Sequence, residues 1–248
     1  MSKPRKDLWT GLNEFARNAL APRNYKEGSF AQRLAGAGVD AGELATADRR
    51  KPEIKKLWIP GVEIFSRNIR AQRHRGLFAE FVREEEGILA TIGFWPKQWS
   101  AARMFAHSAK GFHVHPPSIP SGTTAEKWHQ RLFEGESQNF NLRPYDHEQW
   151  DLMFIVQGRA EMILRDVRAG LPSRTMRFFV DGDNHRSGNN VGIIIPPGVA
   201  HAIRTEGSED VIMVYGTSTV FEPEFEGRLA SEVETAKLPE SWEKFLGA

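Results

Sequence analysis

The spacing of apolar positions changes period once along the chain. Leu8, Leu12, Phe15 and Ala19 recur at three-to-four spacing, which predicts a helix over residues 7–21 that Ala21-Pro22 ends. A second, shorter helix is expected around Phe30 and Leu34, before Gly36-Ala37-Gly38 breaks it. Residues 40–56 are small and charged, close with Arg49-Arg50-Lys51-Pro52 and Lys55-Lys56, and read as a solvated linker. From Leu57 the grammar is that of strands. Trp58 to Phe65 and Arg75 to Phe81 each join a turn to a short apolar run. Leu152 to Val156 is continuously apolar and ends at Gly158. Ala160, Met162 and Leu164 then alternate with Glu161, Ile163 and Arg165. Met176, Phe178 and Val180 follow, stopped by Asp181-Gly182-Asp183. Ile193 to Ile195, Ala202 to Arg204 and Val211 to Tyr215 complete the series. Short strands cut by Gly, Pro and Asn predict an all-β antiparallel sandwich or jelly roll with an N-terminal helical extension. Residues 1–56 are expected to be extension and linker, and 57–248 one domain with an insertion near 117–149. Residues 238–245 read as a short helix docking Trp242 and Phe245.

Composition narrows the class. Of 248 residues 40% are apolar, with seven Trp and sixteen Phe, enough for a core of this size. A net charge of +1 points neither to nucleic acid nor to a membrane surface. The absence of cysteine removes disulfides and thiolate chemistry. No apolar run approaches the ~20 residues of a membrane span, and the N-terminus lacks a signal-peptide core. The expectation is a soluble, cytoplasmic protein.

Candidate chemistry gathers in two segments. In Lys110-Gly111-Phe112-His113-Val114-His115-Pro116, strand alternation points His113 and His115 to one face and Val114 to the other. In Ile195-Pro196-Pro197-Gly198-Val199-Ala200-His201, a Pro-Pro-Gly turn delivers His201 at the start of a new strand. Three imidazoles placed in this way can line one pocket. For His115, His129 and His147 a plain structural role is at least as well supported as a ligand role, and Phe94, Trp95 and Trp99 read as core or subunit interface.

These segments belong to an ordered set. Ile59-Pro60-Gly61-Val62, Arg75-Gly76-Leu77-Phe78-Ala79-Glu80-Phe81 and Gln98-Trp99-Ser100 precede Lys110-Gly111-Phe112-His113. Asp166-Val167-Arg168, the Ile195–His201 segment, and Tyr215 six residues before Phe221-Glu222-Pro223 follow it. In that order, from Trp58 to about Gly227, they resemble the dTDP-4-dehydrorhamnose 3,5-epimerase family, whose fold is the cupin double-stranded β-helix. The resemblance implies epimerisation of a 4-keto sugar, nucleotide-linked, without a cofactor. His113 is then the base that removes a proton beside the ketone, and Tyr215 the acid that returns one to the other face. His201 helps to hold the enolate. Arg75, Glu80, Gln98 and Lys110 grip the nucleotide end, and Phe221 stacks on the base where the family has tyrosine. The family's pairing of N-terminal strands implies a homodimer.

The departures are chemical. Where the resemblance places a pocket lysine that steadies the enolate oxygen, this chain has Trp150 or Asp151. Loss of such a partner costs on the order of 3 kcal/mol. Glu234 is the stand-in for an orienting aspartate, and the insertion adds Trp128, His129, Tyr145, Asp146, His147 and Glu148. Where the family has glutamine stands His115. A second reading is therefore a metal-dependent cupin, with His113, His115 and His201 holding a divalent transition metal and His147, Glu148 or Asp151 adding a fourth ligand. A third is a non-catalytic cupin that binds a sugar or a partner.

Overall fold

The computed structural model describes residues 28–34, 38–115, 148–166, 168, 171–172, 174–185 and 187–221, with the backbone of Gly227 and Arg228. The helices expected at 7–21 and 238–245, Glu234 and residues 116–147 of the insertion lie outside them.

Two sheets carry the fold. The first contains β1 (Val39–Asp40), β9 (Thr175–Asp181), β8 (Arg159–Asp166), β11 (Val199–Glu206), β6 (Ala109–Val114) and β13 (Gly227–Arg228), in that order. The second contains β2 (Glu63–Ser66), β10 (Val191–Ile195), β7 (Asp151–Gln157), β12 (Val211–Thr217) and β5 (Gln98–Met104). Neighbours are antiparallel except β1 and β9. The expected all-β jelly roll is the fold found.

Alternation explains the core between the sheets. Ala160, Met162 and Leu164 of β8 meet Met176, Phe178 and Val180 of β9 there, together with Val191, Ile193 and Ile195 of β10. Strand β7 is apolar on both faces because both are covered. Met153 and Ile155 turn inward, while Leu152 and Phe154 pack outward against Leu89 and Phe94, beside the helix Gly87–Ile92. Arg67 is sealed beneath this outer layer, paired with Asp183 at 2.5 Å and lying over Phe81 and Phe154. The opposite face of β8 holds a buried charge cluster. Glu161 accepts from Arg177 Nε at 2.7 Å and from Arg204 Nε at 3.0 Å.

Three expectations change. Residues 40–56 are not simply a linker: β1 pairs with β9, and Ala41 and Leu44 are fully buried in the core. Ala41 fits close packing and Leu44 fills the core, whereas the spacing alone shows no strand. In the basic cluster, Arg49 lies 4.1 Å over the Trp58 ring and pairs with Glu63 at 2.5 Å. Strand is confined to Leu77–Ala79 (β4) within the run expected from Arg75 to Phe81. Arg75 ends a single 3-10 turn, and Gly76 then takes φ +113°. Among the described residues strand β4 pairs only with β3 (Ile69–Ala71), as a hairpin outside both large sheets. Among the described residues no helix is long and apolar enough to cross a membrane.

Candidate active site

A cavity of about 380 Å³ opens between the sheets, the size of a small-molecule site. Strands β6 and β11 supply one wall with His113 and His201, which pair across the ladder. Strands β7 and β12 supply the other with Asp151 and Tyr215. Asp151 shares the inward face of β7 with Met153 and Ile155, so period-two geometry aims its carboxylate at the histidines. Tyr215 shares the inward face of β12 with Met213.

A bulge in β6 sets the register. His113 stands opposite His201 while Lys110 stands opposite Ile203, so β6 spends one residue more than β11 over that stretch. Lys110 and His113 therefore line the same cavity despite their odd spacing. Gly111 makes this possible. At φ +124° it sits where a Cβ would lie 2.6 Å from the Cα of Ala202. The Pro-Pro-Gly turn closes as expected, with Gly198 at φ +76° and its N–H donating to the His115 carbonyl at 2.6 Å.

A buried polar network lies deeper. Thr219 Oγ1 donates to Gln149 Oε1 at 2.6 Å. The Gln149 amide nitrogen then donates to Asp151 Oδ1 at 3.0 Å and lies 3.1 Å from His115 Nε2. Asp151 Oδ2 stands 3.4 Å from His115 Nε2 and 3.6 Å from His201 Nε2. His201 Nδ1 faces the Val199 carbonyl at 3.3 Å, which assigns its proton to Nδ1 and leaves a lone pair at Nε2. Burial pushes the His201 pKa down to about 4; Asp151 opposes the shift, and His115 and His113 add to it. His201 is neutral at pH 7. Its ring stacks on His113 with centroids 5.9 Å apart and lies 5.8 Å from His115.

The structure brings together His113, His115, His201, Tyr215, Gln98, Lys110 and Phe221 around this cavity. Gln98 is largely committed to the fold: its Oε1 accepts from the Phe221 N–H at 2.8 Å, and its amide donates to Ser100 Oγ at 3.2 Å. Arg75 and Glu80 do not line the cavity. Arg75 lies in the loop of a hairpin that belongs to neither large sheet, Glu80 directly follows that hairpin, and Glu80 pairs with Arg83 at 3.1 Å. Among the described residues, His115, Asp151 and His201 bring one potential donor atom each within 4.8 Å of one another, so that two of the three expected histidines meet the Asp151 carboxylate. Stacking parallel to His201 keeps His113 beside this group. Sequence reasoning missed Gln149, although alternation from Asp151 places it on the same face.

No family model matches the chain. It is 26% identical over 152 residues to the spore coat polysaccharide biosynthesis protein SpsL of Bacillus subtilis (strain 168), covering 60% of this chain and 74% of that protein. Among solved structures it is similar to the rmlC epimerase of Mycobacterium tuberculosis, with a TM-score of 0.50, 19% identity, and coverage of 73% and 76% of the two chains. The dTDP-4-dehydrorhamnose 3,5-epimerase of Elizabethkingia anophelis gives 0.50, 16% identity, and coverage of 74% and 85%. A double mutant of ChmJ, a 3'-monoepimerase from Streptomyces bikiniensis in complex with dTDP, gives 0.51, 20% identity, and coverage of 75% and 78%. At these identities the likeness establishes the shared jelly-roll fold.

Proposed function

We propose that the chain is an isomerase that epimerises a nucleotide-linked 4-keto sugar by proton transfer, as part of carbohydrate biosynthesis. The observation that carries this reading is the placement of His113 and Tyr215 on opposite sheets, both lining one cavity. A ketone acidifies the hydrogens on its neighbouring carbons. His113 takes such a proton, breaking the C–H bond and leaving an enolate. The Tyr215 hydroxyl returns a proton to the opposite face, forming the new C–H bond with inverted configuration. Water then restores both side chains. His201, held neutral, is an uncharged neighbour to the base. Lys110 and Phe221 suit the nucleotide end, as a cation for the diphosphate and an exposed ring for the base.

The reading is supported by the named relatives, which include sugar epimerases and a polysaccharide biosynthesis protein. It extends to a cytoplasmic homodimer. The β3–β4 hairpin exposes Leu77 and Phe78, and pairing two copies through it is what would carry Arg75 and Glu80 toward a partner's cavity.

Exchange of substrate hydrogen with solvent deuterium tests the chemistry. The wild-type protein should exchange the hydrogens beside the ketone of a dTDP-4-keto-6-deoxy sugar, followed by NMR. His113→Ala and Tyr215→Phe should each slow exchange by about 10²- to 10⁴-fold with unfolding temperatures unchanged. Undiminished exchange in both variants would refute the roles given to them.

A further inference from the structure

We propose that His115, Asp151 and His201 bind one divalent first-row transition metal ion, and that this ion supplies the positive charge at the substrate's keto oxygen. The second half of this statement rests on the keto-sugar reading; the first half does not.

The geometry is that of ligands around a point. Asp151 Oδ2 is 3.4 Å from one imidazole nitrogen and 3.6 Å from the other, beyond a good hydrogen bond in both cases. Adjacent ligands of a tetrahedral ion with bonds of about 2.1 Å stand about 3.4 Å apart. The donors come from three strands' worth of chain and from both sheets: His115 follows β6, His201 lies on β11 and Asp151 begins β7. All three residues are buried, which excludes competing water and preorganises the donors.

The ring orientation points the same way. With Nδ1 facing the Val199 carbonyl, His201 turns Nε2 toward the carboxylate of Asp151. A cation between them would bond to both. Gln149 fits as the outer support: it donates to Asp151 Oδ1, leaving Oδ2 toward the histidines, and is itself held by Thr219. Metal binding exchanges the 3.1 Å amide contact of His115 for a coordinate bond. Two imidazoles and one carboxylate suit Fe, Mn, Co, Ni or Zn, and leave positions open for substrate oxygen. A cation there would do the work of the lysine that the resemblance places at Trp150 or Asp151, by stabilising the enolate as it forms. His113 then remains the base, with Tyr215 as the acid.

The full-length protein, stripped with a chelator, is titrated with Co²⁺ by visible absorption and with Zn²⁺ by calorimetry. One ion per chain is expected, with Co²⁺ bands typical of nitrogen and oxygen ligands. Asp151→Asn and His115→Gln should weaken binding about 100-fold, while His113→Gln should bind within a few-fold of wild type. Circular dichroism on each variant separates loss of ligand from loss of fold. Less than about a tenth of an ion per chain in folded wild-type protein would overturn the site. So would undiminished binding by folded Asp151→Asn. Deuterium exchange by the stripped and reloaded protein divides the two readings. Exchange restored by the metal supports the whole proposal, and exchange undiminished after stripping overturns the ion's part in the reaction. Metal bound without exchange in either form leaves the site standing and ends the keto-sugar reading.

Discussion

At the scale of single residues, charge placement decides the character of this chain. Where the family resemblance calls for an ammonium group this chain has Trp150 or Asp151, and the Asp151 carboxylate stands 3.4 Å from His115 Nε2 and 3.6 Å from His201 Nε2. The other buried charges are structural. Glu161 is wholly enclosed on the outer face of β8 and accepts from two nearly buried arginines, Arg177 and Arg204. Removing one member of such a group strands the remaining charges in a poorly hydrated environment. Glu161→Gln keeps the shape but not the charge, and should cost about 3 kcal/mol of stability, read as a lower urea midpoint with an unchanged slope. An unchanged midpoint would mean that water reaches the arginines. Neither Glu161 nor its partners reaches the cavity, so solvent exchange by the folded variant should stay near wild type.

At the scale of elements, the bulge in β6 matters most. A regular strand would send Lys110 and His113 to opposite faces; one extra residue sends them to the same cavity. The bulge depends on Gly111, whose missing Cβ lets the backbone of β11 approach and whose φ other residues avoid. Gly111→Ala should therefore destabilise the protein by about 1–3 kcal/mol through overpacking. It should also displace His113, so that solvent exchange falls more than stability does. Thermal unfolding and exchange kinetics on the same sample check this, and a variant with full exchange would show that the register survives without glycine. The predicted strands were legible because each is a local pattern: alternation in β8 and β9, and a Pro-Pro-Gly turn before β11. Strand β1 was not legible, since two residues carry no period and its pairing with β9 is long-range. Within the candidate site, His113, His201 and Tyr215 could be picked out on motif order, whereas Gln149 gave only a faint signal through its spacing from Asp151.

At the scale of the whole molecule, the two sheets make one cavity, and the β3–β4 hairpin lies outside them. Its exposed Phe78 and Leu77 are unusual for a surface that meets only water. In the proposed homodimer this hairpin is the contact, and Phe78→Glu should shift the protein from dimer to monomer in sedimentation velocity at micromolar concentration. Loss of exchange in the same variant would tie Arg75 and Glu80 to a partner's substrate. A monomeric wild-type protein would remove both expectations.

The sequence by itself determined the class of fold and the direction of the histidines. Period two, turn residues and strand length act over a few neighbouring positions and need no knowledge of what lies opposite. Only the tertiary structure decided that Asp151 meets His115 and His201, that the bulge at Gly111 re-aims Lys110, and that Arg75 and Glu80 stand away from the cavity. Those outcomes depend on which strands become neighbours, and on a carboxylate from one sheet facing imidazoles from the other. Such pairings are chosen by the closing of the core, and no short stretch of chain contains them.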